Sequence, residues 1–265
     1  MNIRTRPPAV AGMFYPAGAD ALSQQVDTML AQVNSAVAIH PKALIAPHAG
    51  YIYSGPVAAS AYALLQDMEH IRRVMLLGPV HRVPVSGLAL PEADSFSTPL
   101  GDIPLDKEAM ESIAQLPQVV WSEAAHAMEH SLEVHLPFLQ RVLGEFQLVP
   151  LAVGDASPGD VAGVLDVLWG DDETLIVISS DLSHYLPYQQ AQQVDRITAD
   201  NILAKQWPIS HEQACGATPI NGLLAASDRH GLTPHLLDLR NSGDTAGDKQ
   251  QVVGYGAFAF SEESG

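Results

Sequence analysis

Short runs of apolar residues alternate along the chain with longer segments of helical periodicity. The apolar runs have the length of β-strands and are bounded by Gly, Pro, Asp and Ser. They occupy residues 42–46, 73–78, 86–90, 146–153, 174–179 and 252–260. The helical patterns occupy residues 19–33, 55–68, 106–116, 158–170, 187–205 and 217–231. This alternation indicates a layered α/β fold with a mostly parallel central sheet.

The chain has 265 residues and shows no internal repeat and no linker-like stretch. A single domain over residues 1–265 is therefore the favoured organisation. With 47% hydrophobic residues, the chain can bury a substantial core. The last apolar run, VVGYGAFAF, alternates enough to predict an edge or antiparallel strand.

Thirteen basic residues stand against thirty acidic ones, which gives a formal net charge of −17. This charge opposes binding to nucleic acid or to anionic membranes, so a small molecule or a protein is the expected partner. No apolar run approaches the roughly 18 residues of a membrane span, and the N-terminal MNIRTRPPAVAG lacks the apolar region of a signal peptide. We therefore expect a cytoplasmic protein. The single cysteine excludes an intramolecular disulfide.

Several polar side chains follow predicted strands within a few residues. His48 and His81 each follow one strand, and Asp181 and His184 follow a third. In α/β folds ligands bind in the crevice beyond the carboxyl ends of the strands. These three strand ends are therefore predicted to meet in one site. Five other histidines fall in helices, helix ends or loops and are predicted to lie at the surface: His40, His70, His211, His230 and His235.

His48, His81 and Cys215 together suggest a metal site. Taken singly, His48 and His81 fit ordinary turn residues, and Cys215 fits an inert buried thiol. However, Cys215 precedes the start of a predicted helix, where the dipole and free N–H groups favour a thiolate. Two imidazoles and a thiolate form a donor set for a first-row transition metal. Three protein ligands also leave open positions for substrate or water.

His184 lies three residues beyond Asp181 in the string SSDLSHY. A carboxylate at this distance can orient the imidazole, which makes His184 a candidate general acid or base. The alternative interpretation is that Asp181 caps a helix and that His184 is incidental.

Further pocket-lining candidates are His130 and Glu133, in the segment AHAMEHSLEVHLPFL, and Tyr51, which lies close to His48 in sequence. Ordinary packing explains Tyr51 equally well. The segment lacks HEXXH, because His130 and His135 are five residues apart, so a zinc-protease helix is not predicted. Dinucleotide-binding, P-loop and nucleophile-elbow motifs are absent as well.

Seven strings occur in order: PPAVAGMFYP, APHAGYIYSG, GPVH, STPLGDIPLD, EHSLEVHLPFLQ, SSDLSHY and ACGATPI. In this order they resemble the Memo family, whose prokaryotic members are often called AmmeMemoRadiSam system protein B. The resemblance extends from about residue 6 to residue 260.

This resemblance implies a three-layer αβα fold similar to that of the class III LigB-type extradiol dioxygenases. Those enzymes use non-haem Fe(II) held by two His and a carboxylate. The family's metal ligands correspond to His48, His81 and Cys215, and their polar neighbours to Asp181 and His184. Cys215 stands where the dioxygenases have a carboxylate, which shifts the expected metal preference toward Cu or Zn. Ala217 stands where the family commonly has a larger basic or polar residue.

The resulting hypothesis is a metal-dependent, oxygenase-like redox enzyme acting on a small molecule. Fe(II) or Cu would be held by His48, His81 and Cys215, and His184 would move protons, assisted by Asp181. Two alternatives stay open. One is a non-catalytic module that binds a protein or peptide, and the other is a zinc-dependent hydrolase. The family's prokaryotic name also implies a radical-SAM protein and an AMMECR1-like protein as partners.

Overall fold

The computed structural model describes residues 4–34 and 39–262. The strands are β1 (Thr5–Arg6), β2 (Ala43–Ala46), β3 (Arg73–Pro79), β4 (Leu88–Leu90), β5 (Ser95–Thr98), β6 (Gly101–Pro104), β7 (Val119–Trp121), β8 (Gln147–Val153), β9 (Thr174–Ser179), β10 (His184–Leu186), β11 (Leu232–Asn241) and β12 (Val252–Glu262). The α-helices are α1 (Ala19–Ala31), α2 (Tyr51–Tyr62), α3 (Lys107–Ile113), α4 (Glu123–Ala127), α5 (Leu136–Val142), α6 (Pro158–Val167), α7 (Tyr188–Leu203) and α8 (Ala217–His230). Short 3₁₀ helices occupy Ala63–Leu65, Glu133–His135 and Ser242–Asp244.

The large sheet is parallel at its centre and mixed toward its edges. Its strand order is β10-β12-β2-β9-β3-β8-β4-β7, and β11 pairs with β12 beside this path. The pairings β2–β9, β9–β3, β3–β8 and β4–β7 are parallel. The pairings of β12 with β2, β10 and β11, and that of β4 with β8, are antiparallel. The prediction of a mostly parallel sheet therefore describes the four central strands, and the antiparallel prediction for 252–260 is confirmed.

Helices flank the sheet on both faces. The connection β2–α2–β3 runs in one direction along the strand order, and β8–α6–β9 runs in the opposite direction. Because crossovers between parallel strands are right-handed, opposite directions place α2 and α6 on opposite faces of the sheet. Strands β2, β3 and β9 are consequently buried almost completely, which explains their near-continuous apolar sequences. The ends of these three neighbouring strands face one crevice.

Several helix boundaries follow from local sequence. Helix α6 begins at Pro158, where Ser157 and Asp160 form a reciprocal capping box. Helix α8 ends at His230 because Gly231 adopts a left-handed conformation with φ of 65°. Helix α2 begins at Tyr51 rather than at residue 55, so the segment YIYS is helical.

The sequence patterns did not predict six strands and two helices of the described residues: β1, β5, β6, β7, β10, β11, α4 and α5. Strand β11 is only partly buried along most of its length, so its sequence lacks the continuous apolar run of an interior strand. The segment SFSTPLGDIP forms the hairpin β5–β6, which joins β1 in a separate three-stranded sheet. The Ser and Thr side chains of this segment therefore lie in a small sheet that is separate from the large one. Among the described residues, no helix combines the length and apolar character needed to cross a membrane.

Candidate metal centre

The structure brings His48, His81 and Cys215 together. His48 and His81 lie two residues beyond β2 and β3, and Cys215 lies two residues before α8. One ligand atom from each residue lies within 4.8 Å of the others, and His48 Nε2 is 3.4 Å from Cys215 Sγ. Ligand atoms around a tetrahedral metal with bonds of 2.0–2.3 Å are separated by about 3.3–3.8 Å. The donor set therefore fits a transition metal after small side-chain adjustments.

Hydrogen bonds fix the tautomer of His48. The Ser179 hydroxyl donates to the Ser131 carbonyl over 2.6 Å, so its oxygen accepts at the other contact, 2.6 Å from His48 Nδ1. Nδ1 therefore carries the proton, and the lone pair of Nε2 faces Cys215. Burial, together with neighbouring imidazoles, lowers the pKa of His48 well below its usual value. A neutral ring with an unprotonated Nε2 is what metal ligation requires.

His81 is oriented by Glu129. Its Nδ1 lies 2.9 Å from Glu129 Oε1, and an ionised carboxylate can only accept a hydrogen bond. Burial opposes ionisation of Glu129, but hydrogen bonds from the His81 ring and from backbone N–H groups outweigh it and lower its pKa to about 2. The proton of His81 therefore lies on Nδ1, which leaves Nε2 free to bind a metal.

The Cys215 thiol is held by the loop that precedes α8. Its backbone N–H donates to the Asp181 carbonyl over 3.2 Å. Burial, with a smaller contribution from the Asp181 carboxylate, raises the pKa of Cys215 to about 12. The Gly216 N–H at the helix start favours the thiolate, as expected, but burial opposes it more strongly. A bound cation would have to displace the thiol proton.

Gly216 allows this loop to approach β9 closely. A Cβ atom at Gly216 would lie 2.5 Å from the Ser179 carbonyl oxygen and 2.6 Å from Ser180 Cβ. The Gly216 N–H also donates to Ser180 Oγ over 2.9 Å. Any larger residue would push Cys215 away from His48.

We expect Gly216→Ala to lower the free energy of unfolding by about 1–3 kcal/mol, the usual cost of overpacking a tight interior. Urea unfolding measures this change. Gly144→Ala serves as the control, because no atom lies within 4 Å of the added methyl group there. Equal stability of the two variants would show that the Cys215 loop can move without cost.

Asp181 contacts His48 rather than His184. Its Oδ1 accepts a hydrogen bond of 2.8 Å from the His48 backbone N–H, and Oδ2 lies 4.0 Å from His48 Nε2. Burial raises the pKa of Asp181 to about 7. The prediction that Asp181 orients the His184 ring is wrong, because the Leu182 carbonyl lies 2.8 Å from His184 Nδ1 and occupies that position.

His184 is presented to a cleft beside the metal centre. It opens β10, and the pairing of β10 with β12 is irregular between His184 and Leu186. Tyr185, at this irregularity, has a positive φ of 59°, which is uncommon for a residue with a large side chain. The hydrogen bond to Leu182 places the His184 proton on Nδ1, and burial lowers its pKa. Its Nε2 is therefore a proton acceptor.

The cleft has a volume of about 650 Å³ and is lined in part by His81, His184 and Cys215. Aliphatic, amide, imidazole and carboxylate groups complete the lining: Leu186, Gln190, Val194, His211, Glu212 and Gln213. His211 is exposed, as predicted, and it also lines this cleft, which its sequence position did not indicate. The cleft reaches the metal centre from the side on which α7 lies.

The three further pocket-lining candidates lie in different surroundings. The His130 ring stacks on His81 with centroids 4.7 Å apart and meets His48 edge-on at 5.5 Å. The Tyr51 hydroxyl instead donates to the Val134 carbonyl inside the core. Glu133 binds Arg6 and the backbone of the N-terminal segment, with no bond to the metal-centre side chains. Only His130 belongs to the wall of the centre.

The sequence interpretation missed Glu129 and Ser179 as neighbours of the ligands. Glu129 was visible as a charged residue beside His130, but nothing local linked it to His81, which is 48 positions away. In the sequence, Ser179 is simply the last residue of the apolar run 174–179. Their roles depend on which strands lie next to each other.

The fold and site define an α/β protein in which two histidines, just beyond the parallel strands β2 and β3, and a cysteine just before α8 form a candidate metal-binding donor set. The Memo-like protein family model matches residues 6–259. The chain belongs to the Memo family.

Relatives from distant organisms match almost end to end. A MEMO1 family protein of Aquifex aeolicus is 37% identical, covering 97% of this chain and all of the relative. One from Methanopyrus kandleri is 36% identical, with 96% and 98% covered. Among solved structures, the uncharacterized protein JW3007 from Escherichia coli K12 has a TM-score of 0.51 at 13% identity, covering 81% of this chain and 98% of that one. This last likeness concerns the fold alone.

Proposed function

We propose that this protein is a metal-dependent, oxygenase-like redox enzyme that acts on a small molecule. The observation that supports it most directly is the cluster of three ligand atoms from His48, His81 and Cys215, beside a cleft that His81 and Cys215 help to line. Catalytic metal sites combine three protein ligands with open positions in this way. The likeness to LigB-type dioxygenases that the sequence implies adds support for oxygen chemistry.

The ligand residues favour a transition metal of intermediate softness. Two neutral imidazoles and a thiolate suit Cu, Zn or Fe better than Mg or Ca. Bound there, Fe(II) or Cu would supply electron transfer and Lewis-acid polarisation of a substrate oxygen. Fe(II) or Cu is our proposed cofactor, and Zn would indicate hydrolytic chemistry instead.

The protein's own groups divide the remaining tasks. His184 Nε2 faces the cleft unprotonated, so it can take a proton from a substrate hydroxyl and later return it. Asp181 holds the backbone of His48 in place from the buried side. Leu186 and Val194 give one wall of the cleft an apolar lining.

We expect His184→Gln to lower turnover about 100-fold, because general acid–base catalysis contributes at least that much. Metal content should stay at the wild-type level, because His184 lies outside the donor set. The assay is oxygen consumption by Fe(II)- or Cu-loaded protein with a panel of catechols and other phenols. Full activity of His184→Gln would contradict the assignment of proton transfer to His184.

Two further assays, of hydrolysis and of partner capture, test the alternative functions. Ester or amide hydrolysis by the Zn-loaded protein would favour the hydrolase. No turnover with any metal, together with stoichiometric capture of a protein partner that survives His48→Gln, would favour the binding module. The radical-SAM and AMMECR1-like proteins implied by the family's name are the partners to test first.

A further inference from the structure

We propose that the turn formed by Glu129, His130 and Ser131 is the positioning element of the metal centre, and that it sets the tautomer and orientation of both histidine ligands. The inference rests on the proposed metal site, but its geometric part concerns residues of the metal-free protein. Glu129 acts directly on His81, and Ser131 acts on His48 through Ser179.

Glu129 binds His81 twice. Its Oε1 accepts from the ring Nδ1 over 2.9 Å, and its Oε2 accepts from the His81 backbone N–H over 2.6 Å. The carboxylate is almost fully buried, with 1% of its side chain exposed. Two bonds to one residue leave the imidazole little freedom to rotate. Carboxylates that hold a metal-binding histidine in this way strengthen metal binding in many proteins.

Glu129 also organises its own turn. Oε1 accepts from the backbone N–H groups of His130 and Ser131 over 2.9 and 3.0 Å. These bonds hold the backbone of the turn directly before the Ser131 carbonyl. That carbonyl accepts the Ser179 hydroxyl proton, and the Ser179 oxygen in turn accepts from His48 Nδ1. One buried carboxylate is thereby connected to both imidazoles.

The same turn also packs closely against the end of β3 in the large sheet. The Ser131 hydroxyl donates to the Pro79 carbonyl at the end of β3. A Cβ atom at Gly78 would lie 2.9 Å from Ser131 Oγ and 3.1 Å from Ser179 Cβ. Glycine at position 78 therefore lets the turn, β3 and β9 meet closely enough to form the hydrogen-bond chain.

A second metal site is a less suitable interpretation of the same residues. Ligand atoms of His81, Glu129 and His130 also lie within 4.8 Å of one another. However, Glu129 Oε1 already accepts three hydrogen bonds and Oε2 accepts a fourth, so an ion would have to compete with these donors for the carboxylate. An ion bound there would break the bonds that hold the turn.

The first readout needs no metal. In ¹⁵N-histidine NMR spectra of the metal-free protein, the His81 and His48 rings should be Nδ1–H tautomers. Their signals are assigned by their loss in His81→Gln and His48→Gln. We expect Glu129→Gln to shift His81 toward the Nε2–H tautomer, because the side-chain amide offers a donor as well as an acceptor. Ser179→Ala should do the same for His48 only.

The second readout is the affinity for Co(II) and Zn(II), measured by competition with a chelator, and the Co(II) absorption spectrum. We expect Glu129→Gln to weaken binding 10- to 100-fold and to alter the spectrum. Glu133→Gln is the matched control, since Glu133 is equally buried on the same segment but binds Arg6. It should lower stability and leave both the tautomers and the metal affinity unchanged.

The outcomes separate this inference from the proposed function. Wild-type tautomers and affinity in folded Glu129→Gln would overturn the positioning role. Altered tautomers in a protein that binds no metal would support the positioning role and overturn the metal-dependent function. If Glu129→Gln does not fold, Ser179→Ala tests the branch to His48, and an unchanged His48 tautomer and affinity there would overturn the inference.

Discussion

Replacing Cys215 with serine is expected to reduce the affinity of the protein for Cu or Zn more than 100-fold. Loss of a residue that only orients a ligand costs 10- to 100-fold, and loss of a ligand itself should cost more. Serine keeps the size of the side chain but supplies a harder, far less acidic oxygen, which suits soft metals poorly. Removing His48, whose Nε2 lies 3.4 Å from Cys215 Sγ, should have a similar effect.

The measurement is metal content by mass spectrometry after anaerobic purification and challenge with Fe(II), Cu and Zn. We expect about one ion per chain in the wild type, which Cys215→Ser and His48→Gln should not retain. His126→Gln is the control for the loss of a buried histidine, because His126 binds the Ala89 carbonyl outside the centre. An ion retained equally by all four proteins would place the metal elsewhere.

The ligand residues could be predicted from the sequence because each one stands at the end of a strongly apolar strand or the start of a clear helix. Strands β2, β9 and β3 are neighbours, so their carboxyl ends deliver His48, Ser179 and His81 to one place. That convergence follows from the general behaviour of parallel sheets.

The supporting residues could not be predicted in the same way. The bond between Glu129 and His81 depends on where a turn after α4 packs, which no local pattern encodes. The burial of Cys215, which decides its protonation, likewise comes from the packing of its loop onto β9. Strand β11 was missed because tertiary pairing with β12, rather than a continuous apolar run, makes it a strand.

Glu133→Ala is expected to lower the free energy of unfolding by about 3–5 kcal/mol, the usual effect of leaving a buried charge without its partner. Glu133 forms a salt bridge of 2.8 Å with Arg6, and both side chains are at most 2% exposed. The same carboxylate accepts hydrogen bonds from the backbone of Ala9 and Val10 and from the Tyr15 hydroxyl. Its removal leaves the Arg6 charge and three further donors without this acceptor.

Urea unfolding of Glu133→Ala and Glu92→Ala provides the comparison. Glu92 pairs with Arg4 at 3.1 Å, but both side chains are more than half exposed, so its loss should cost at most about 1 kcal/mol. Equal effects of the two variants would contradict the assignment of Glu133 as the anchor of the N-terminal segment. Because Glu133 makes no bond to His48, His81 or Cys215, folded Glu133→Ala should bind metal as tightly as the wild type. A large loss of stability without loss of metal affinity would show that Glu133 stabilises the fold. It would then differ from Glu129, the other buried glutamate of this segment, which contacts a metal ligand.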